Sequence, residues 1–376
     1  MGGTAMIKVL ITGSHGFIGK NLVTELEHLS EYSVMKYDRS SDISILENYV
    51  EKADFIFHLA GVNRPKNEDE FMEGNRNMTQ KLLDILKSKG NHCPIMLASS
   101  IQAIQNNPYG NSKRAAEECV LKYHREMGIP VYIYRFPNIF GKWCRPNYNS
   151  VIATFCYRIA RDLPIEIHNA KTMLHLVYID DVVEEMKAVL SNKGHIDQNG
   201  FGVIPVRYES ELGNIVQLIR SFKDSRETGL VPDMSDGLTK KLYSTYLSYL
   251  PENEFSYPLT MHEDQRGSFT EILRTADRGQ FSVNISKPGV TKGNHWHHTK
   301  NEKFLVVSGQ GIIRFRKVGK EQIFEYPVDG KKLKVVDIPP GYTHSIVNTG
   351  TTDLVTFMWC NECFDPEHQD TIPLEV

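Results

Sequence analysis

The stretch Thr12-Gly13-Ser14-His15-Gly16-Phe17-Ile18-Gly19 decides the fold of the first part of the chain. A short β-rich run, Ile7–Thr12, precedes it, and a helical pattern begins near Phe17. Glycines placed between a strand and a helix are typical of a dinucleotide-binding loop, whereas glycines without that context are weak evidence. The sequence therefore predicts that this stretch joins the first strand and helix of a nucleotide-binding α/β domain.

The three glycines of the loop have separate steric roles. Gly13 permits the tight turn, Gly16 lets the backbone approach a pyrophosphate, and Gly19 permits close packing of helix on strand. The helix N-terminus offers unpaired N–H groups and a partial positive charge to the phosphates. We expect cofactor contacts from Gly13, Ser14, Gly16, Phe17, Ile18 and Gly19.

An acidic residue about 20 residues further on completes the pattern. Asp38 follows the next strand-like run, and a carboxylate there suits the ribose hydroxyls of NAD. Arg39 and the two serines after it could instead hold the 2′-phosphate of NADP. These residues alone leave both cofactors open.

The chain has two regions with different patterns of predicted secondary structure. The first part alternates strand-like with helix-like runs, at Ser33–Tyr37, Phe55–Leu59, Met78–Lys89, Ile95–Ser99, Ser112–Met127 and Val131–Arg135. This alternation predicts an α/β fold with a doubly wound parallel sheet, as in Rossmann-like domains. From Ser268 onward, short strands with apolar/polar alternation predict an all-β barrel or sandwich. We predict domains at 6–245 and 246–376, and residues 1–5 resemble a cloning scar.

One turn in the second part has the pattern of a β-hairpin. Phe304–Val307 and Ile312–Phe315 flank the sequence Ser308-Gly309-Gln310-Gly311. Two alternating runs separated by a short glycine-containing turn predict that the runs pair with each other.

The composition excludes several classes of function. With 40% hydrophobic and 24% charged residues and a net charge of −3, the chain offers no basic surface for nucleic acid or an anionic membrane. No apolar run reaches the roughly 18 residues of a membrane span. Six scattered cysteines form no disulfide framework, so we expect a cytoplasmic protein.

Ser100, Tyr109 and Lys113 form a candidate catalytic group. Tyrosine and lysine four apart lie on one face of a helix, so the ammonium can sit beneath the phenol and lower its pKa. The phenol could then protonate a carbonyl oxygen as hydride reaches the carbon, while a serine hydroxyl bonds to the same oxygen. Ser99 is the alternative serine.

The second part carries the pattern Gly289-x5-His295-x-His297-x4-Glu302-x6-Gly309. Side chains two apart on a strand project from one face, and Glu302 begins the next strand-like run. His344 follows the turn at Pro339-Pro340-Gly341. Three imidazoles and a carboxylate suit zinc, iron, manganese or nickel.

Residues 6–245 resemble the extended short-chain dehydrogenase/reductase family of nucleotide-sugar epimerases, dehydratases and reductases. The glycine loop is that family's T-G-x-x-G-F-I-G, and Ser100, Tyr109 and Lys113 fall on its catalytic positions. Only eight residues separate Ser100 from Tyr109, where many relatives carry an insertion. The resemblance implies further cofactor contacts from Asp42, Ile43, Leu59, Ala60 and Asn75, and a substrate contact from Asn138.

The His/Glu pattern resembles the first motif of the cupin family, and His295, His297, Glu302 and His344 match its four ligands. The second motif departs, since Gly330 lies farther before Pro339 than the family pattern expects. The run from Asp264 to Glu271 resembles D-x-R-G-x-F-x-E of cupin-fold epimerases of dTDP-4-keto-6-deoxy sugars, which generally use a histidine base without metal. It implies that Arg266 faces a nucleotide diphosphate and that Glu271 belongs to the substrate site.

The two domains together resemble bacterial capsular-polysaccharide enzymes on the route to UDP-N-acetyl-L-fucosamine. The resemblance implies C3 epimerisation of a UDP-2-acetamido-2,6-dideoxy-hexos-4-ulose, then NADPH-dependent reduction at C4 to UDP-2-acetamido-2,6-dideoxy-L-talose. We expect zinc in the cupin, a UDP-sugar substrate, a homodimer, and NAD as the alternative cofactor. Tyr342, Lys303 and the histidines are all candidate bases.

Three other functions fit the same motifs. The first domain could be a redox-neutral epimerase or dehydratase that retains NAD. The cupin could be a non-catalytic dimerisation module that is stabilised by a structural metal, or it could be a dioxygenase.

Overall fold

The computed structural model describes residues 6–376, so the segment interpreted as a cloning scar lies outside the described residues. Contacts divide the chain into two compact units. The first holds residues up to Ile219 with Lys241–Leu250, and the second holds Arg220–Lys240 with Pro251–Val376. Between residues 6 and 376, no helix is both long and apolar enough to cross a bilayer. All six cysteines lie in this range and are free thiols.

A five-stranded parallel sheet forms the centre of the first unit, in the order β2-β1-β3-β4-β5. Its strands are β1 Ile7–Thr12, β2 Tyr32–Tyr37, β3 Phe55–His58, β4 Ile95–Ser100 and β5 Val131–Phe136. A smaller sheet contains β6 Asn138–Phe140, β7 Met173–Tyr178 and β8 Tyr208–Glu211.

Helices and short helical turns connect these strands or follow them along the chain. They are α1 Phe17–Glu27, α2 Ile43–Lys52, α3 Asp69–Phe71, α4 Met78–Lys89, α5 Pro108–Met127, α6 Val151–Ile159, α7 Ile179–Leu190, α8 Leu212–Thr228 and α9 Gly237–Leu247, with a π-helix at Met72–Asn77 and 3₁₀ turns at Ile101–Ile104 and Glu252–Glu254. The capping residues of α5 illustrate why the helices begin and end at these positions. Asn107 accepts a hydrogen bond from Gly110 N at its start, Pro108 occupies the first turn, and Gly128 ends it at φ +71°.

Both faces of the parallel sheet are buried. In β1, Leu10 packs into one hydrophobic cluster, and its neighbours Val9 and Ile11 pack into another. Because side chains alternate along a strand, the two clusters lie on opposite faces, each covered by helices. The predicted doubly wound α/β fold is therefore confirmed.

The second unit is built from two antiparallel sheets. One has the order β16-β13-β18-β11-β10-β9, and the other β15-β14-β17-β12-β19. The strands are β9 Met261–Asp264, β10 Gly267–Thr275, β11 Gly279–Ser286, β12 Thr291–Trp296, β13 Glu302–Ser308, β14 Gln310–Lys317, β15 Ile323–Asp329, β16 Val335–Ile338, β17 Tyr342–Asn348, β18 Leu354–Cys360 and β19 Ile372–Pro373. A core that includes Phe304, Ile313 and Ile346 joins the two sheets. The predicted all-β fold is confirmed, and over the described chain the strands form two sheets and not one closed cylinder.

The predicted hairpin around Gly309 is wrong. β13 pairs with β16 and β18, whereas β14 pairs with β15 and β17, so the turn carries the chain from one sheet to the other. Gly309 has φ +83°, and a Cβ there would lie 2.6 Å from Asp353 O. A short glycine turn suits such a corner as well as a hairpin, and long-range pairing decides between them.

Candidate active sites of the two units

The glycine loop lies at the carboxyl end of β1, where nucleotides bind in this class of sheet. Gly13 has φ +73°, and a Cβ on it would lie 2.8 Å from Ala60 N. A Cβ on Gly19 would lie only 2.2 Å from Gly13 O, so α1 packs on the loop at a distance that glycine alone allows. Phe17 and Ile18 form the first turn of α1, whose free N–H groups face the loop. This cradle fits a dinucleotide pyrophosphate.

The carboxylate of Asp38 is tied to the glycine loop. It accepts hydrogen bonds from His15 N at 2.6 Å and Arg39 N at 2.9 Å, and Ser14 Oγ lies 3.4 Å away. These contacts place Asp38 at the loop, as its predicted role requires. Asp42 caps α2 by accepting from Ser44 N at 2.8 Å, and Ile43 is the first residue of that helix.

A buried hydrogen-bond chain starts at the end of β1. Thr79 Oγ1 donates to Asn75 O at 2.7 Å, so it accepts from His58 Nε2 at 3.0 Å. His58 Nδ1 is left to accept from Thr12 Oγ1 at 2.7 Å. Burial, with a smaller effect from Lys113, lowers the pKa of His58 to about 3. The imidazole is therefore neutral, and its tautomer is fixed by its neighbours.

The same chain reaches the candidate catalytic helix through Asn75. This residue lies in the π-helix, a rare conformation that is frequent at functional sites. Its Oδ1 accepts from Val62 N, and its Nδ2 donates to Val62 O and Ser112 Oγ, all at 2.9 Å. Asn75 thus ties the turn after β3 to the first turns of α5. Leu59 and Ala60 lie in that turn, where Leu59 N donates to Thr12 O.

The structure pairs Ser100 with Tyr109 and places Lys113 one turn after Tyr109 on α5. Lys113 Nζ donates to Ala98 O at 3.0 Å, and burial lowers the pKa of Lys113 to about 8. Burial raises the pKa of Tyr109, and its hydrogen bond with Ser100 only partly opposes this effect. The predicted lowering of the Tyr109 pKa by a cation is therefore wrong for this state of the site, because burial decides the direction. The phenol stays protonated at neutral pH.

The two candidate serines have different partners. Ser99 Oγ donates to the buried Glu117 Oε1 at 2.5 Å, and Glu117 also receives two hydrogen bonds from Arg135, at 2.9 and 2.6 Å. Ser100 Oγ accepts from Gln102 N and bonds with Tyr109. The geometry thus places Ser100, and not Ser99, beside the phenol. The role of Glu117 as the buried partner of Ser99 and Arg135 is not predicted from the sequence, because Glu117 belongs to none of the motifs described above.

The predicted substrate residue Asn138 lies in β6, outside the five-stranded sheet. Its side chain is exposed, and its amide donates to His175 O at 3.2 Å. The described contacts do not join it to the Ser100–Tyr109 pair, so its role stays a prediction.

Four predicted ligands of the second unit converge. One ligand atom from each of His295, His297, Glu302 and His344 lies within 4.8 Å of the other three, and this group could hold a metal ion. β12 carries His295, His297 follows it directly, β13 begins with Glu302, and β17 carries His344. The group therefore draws on both sheets.

The unsatisfied atoms of this group support a metal. Nε2 of His297 and of His344 lie 3.5 and 3.2 Å from Glu302 Oε2. All three atoms are buried without a hydrogen-bond partner in the described chain. Burial and the neighbouring imidazoles lower the pKa of His295 to about 4, so its lone pair is free. Converging nitrogen lone pairs and a carboxylate are what a divalent ion requires.

The other residues predicted for the second unit are less conclusive. Arg266 is exposed and pairs with Asp264 at 2.6 Å, and Glu271 pairs with Arg274 at 2.8 Å. Lys303 pairs with Asp337 and points to the opposite face from Glu302, since the two are adjacent in β13. Tyr342 shares a face with His344, two residues on in β17.

Comparisons with known proteins assign the family. The NAD dependent epimerase/dehydratase family matches residues 9–201, and the polysaccharide biosynthesis C-terminal domain matches residues 262–372. Because the first match covers half of the chain, this chain belongs to the NAD dependent epimerase/dehydratase family. Membership implies the use of a nicotinamide cofactor.

Particular relatives match along nearly the whole chain. It is 45% identical over 371 residues to the UDP-2-acetamido-2,6-beta-L-arabino-hexul-4-ose reductase of Pseudomonas aeruginosa, which is 98% of this chain and 99% of the relative. A crystal structure of the capsular polysaccharide assembling protein CapF from Staphylococcus aureus is 54% identical, with a TM-score of 0.93, over 98% of this chain and 100% of that chain. A more distant relative, the dTDP-D-glucose 4,6-dehydratase of Dictyostelium discoideum, is 28% identical over 50% of this chain and 56% of its own. The predicted resemblance to capsular-polysaccharide enzymes is confirmed.

Proposed function

We propose that this protein is a bifunctional enzyme of capsular-polysaccharide precursor synthesis. The second domain, 246–376, epimerises C3 of a UDP-2-acetamido-2,6-dideoxy-hexos-4-ulose. The first domain, 6–245, then reduces the C4 ketone with NADPH to UDP-2-acetamido-2,6-dideoxy-L-talose. The observation that carries the proposal is the similarity over 98% of the chain to a protein named as a reductase of such a UDP-sugar.

The reduction needs a proton donor at the carbonyl oxygen. A nicotinamide held by the glycine loop would supply the hydride for C4. Tyr109 Oη would donate its proton to the carbonyl oxygen, and the phenolate would then regain a proton from solvent. Burial raises the pKa of this phenol, so the proton is present at neutral pH. Ser100 supplies a second hydrogen bond to the same oxygen.

Tyr109→Phe tests the reductase assignment. It should abolish NADPH oxidation with the 4-keto sugar while NADPH binding is kept, because only the proton donor is lost. Tyr123→Phe is the matched control on the same helix, since the Tyr123 hydroxyl is buried without a hydrogen-bond partner among residues 6–376. Near-normal turnover in Tyr109→Phe would show that another acid serves. Retained NAD with no net NADPH consumption in the wild type would favour a redox-neutral enzyme.

NADPH rather than NADH is proposed because Arg39 directly follows the Asp38 carboxylate. Asp38 is already engaged by the backbone of His15, so its charge is partly offset. Arg39→Ala should then lower kcat/KM for NADPH by about tenfold, the effect of roughly one charge-assisted hydrogen bond, and leave that for NADH unchanged. Equal losses with both cofactors would count against the assignment.

The epimerisation is proposed to use a divalent ion, with zinc first, held by His295, His297, Glu302 and His344. When bound, it would polarise the C4 carbonyl and stabilise an enediolate. Tyr342, on the same face as His344, is the candidate that removes the C3 proton. The base releases the C3 proton to solvent and a solvent proton is delivered to the opposite face of C3, so the step consumes nothing. Arg266 and Glu271 are proposed to contact the nucleotide sugar.

Exchange with solvent tests this half alone. Incubation with the keto-sugar in deuterated water, without NADPH, should place deuterium at C3, as read by NMR. Absence of deuterium from a metal-loaded enzyme would remove the epimerase assignment. That result would favour the alternative in which the second domain is a non-catalytic dimerisation module stabilised by a structural metal.

A homodimer through the second unit is also proposed. Across the six-stranded sheet, Val283, Phe357 and Leu305 lie side by side, on the face opposite the buried Phe304. An apolar sheet face of this kind is typical of an interface. Phe357→Lys should produce monomers in sedimentation equilibrium, and the exposed Phe255→Lys should not.

A further inference from the structure

The segment Asp370–Val376 lies against the strand that carries the first histidine of the candidate metal centre. Within it, β19 pairs with β12, with Pro373 opposite His295. Leu374 N donates to Asn294 O at 2.9 Å, and Leu374 O accepts from Thr343 Oγ1, next to His344. The segment is thus joined to both strands that supply imidazoles.

The side chain of Asp370 organises the loop after His297. Its Oδ1 accepts from His298 N at 2.8 Å, and its Oδ2 accepts from Thr299 N at 2.8 Å and Lys300 N at 2.9 Å. Three consecutive backbone N–H groups around one carboxylate form an anion nest. This loop is the link between the predicted ligands His297 and Glu302, so the carboxylate fixes its path.

The main chain of Asp370 acts on His297 itself. Its carbonyl oxygen can only accept, so His297 Nδ1 must donate to it and carries the ring proton. His297 Nε2 is then the atom with the free lone pair, and it is buried, without a partner in the described chain, 3.5 Å from Glu302 Oε2. A histidine that binds metal is usually held in this way by a second group.

We propose that Asp370 is a positioning residue of the candidate metal centre, fixing the tautomer of His297 through its carbonyl and the His297–Glu302 loop through its carboxylate. It is not itself a ligand, because both carboxylate oxygens are occupied by backbone N–H groups. The inference rests on the metal-binding part of the proposed function, and does not depend on which reaction the metal serves. No sequence motif marks Asp370, which lies 73 residues after His297.

The experiment measures metal affinity in the full-length protein. Zinc dissociation constants are obtained by competition with a chromophoric chelator for the wild type, Asp370→Ala and Asp370→Asn. We expect zinc binding to weaken about 10- to 100-fold, the usual effect of losing such a supporting contact. The cobalt-loaded variants should show an altered visible absorption spectrum, which reports coordination geometry and which a general loss of stability would not change.

Asp365→Asn is the matched control. Asp365 lies five residues before Asp370, and its carboxylate accepts from Glu367 N at 2.9 Å and pairs with His368 at 3.0 Å. Neither partner belongs to the His297–Glu302 loop, so zinc affinity should match the wild type. If Asp370→Ala does not fold, the nearly isosteric Asp370→Asn decides, since it keeps one acceptor oxygen and replaces the other with an uncharged NH2 group that cannot accept from the loop N–H groups.

The possible results separate the two proposals. Folded Asp370 variants with wild-type zinc affinity and cobalt spectrum would overturn the positioning role of the Asp370 carboxylate, and would leave the metal centre itself in place. A wild-type protein that binds no divalent ion would overturn the metal centre and, with it, this inference. Weakened zinc binding in a protein without C3 exchange would support the positioning role and remove only the epimerase assignment.

Discussion

Gly19→Ala gives the sharpest test of the nucleotide loop. The added Cβ would lie 2.2 Å from Gly13 O and 2.9 Å from Ser14 Cα, both backbone atoms that no rotamer change can move. Ordinary contact begins near 3.5 Å, so α1 and the loop must separate by about 1 Å. A displacement of about 1 Å at a reacting group can cost about 100-fold in rate. We therefore expect kcat/KM for NADPH to fall at least that far.

The assay combines two measurements on one protein. NADPH affinity is followed by fluorescence and turnover by NADPH oxidation, while C3 deuterium exchange should persist because the proposed epimerase residues lie in the other unit. Gly90→Ala is the control, because Gly90 ends α4 at φ +60° and no atom lies within 4 Å of a new Cβ. This variant should lose about 1 kcal/mol of stability through its backbone conformation and keep NADPH binding. NADPH affinity in Gly19→Ala within threefold of the wild type would refute the steric reasoning.

Two further outcomes follow from the reductase site. Ser100→Ala should lower kcat by about 100-fold or more, as loss of one oxyanion donor does. Ser99→Ala should leave turnover unchanged and lower the free energy of unfolding by about 2 kcal/mol, because Glu117 loses a hydrogen bond. Equal kinetic losses in the two variants would contradict the assignment of Ser100. The folded-state pKa of Lys113, about 8, lies below its unfolded value, so between these values the unfolded chain holds a proton that the folded chain lacks. Stability of the first unit should therefore rise as pH increases above 8, and Lys113→Met should flatten that rise in chemical denaturation.

The features that sequence predicted are those with local causes. The glycine loop needs small residues at fixed spacing, and the ligand pattern from His295 to Glu302 lies within eight consecutive residues. The turn residues around Gly309 suit both a hairpin and a corner between two sheets, and the strand partners that decide between them lie far along the chain.

Side-chain partners far apart in sequence were not predictable either. Glu117 and Asp370 act through contacts 18 and 73 residues away, and no periodicity marks such pairs. The cation four residues after Tyr109 predicts a lowered pKa for the phenol. Burial, which sequence does not measure, reverses the direction.

The proposed order of the two reactions follows from the chemistry of the ketone. Removal of the C3 proton is favourable only while C4 is a carbonyl, because the charge left at C3 is delocalised onto the carbonyl oxygen. Once the first unit has added hydride to C4 and Tyr109 has protonated the oxygen, that delocalisation is lost. The epimerase step must therefore precede the reduction. The purified 4-hydroxy product, returned to the metal-loaded enzyme in deuterated water without cofactor, should gain no deuterium at C3, whereas the keto-sugar should. Exchange into the product would mean that the second unit works by a route that does not need the ketone.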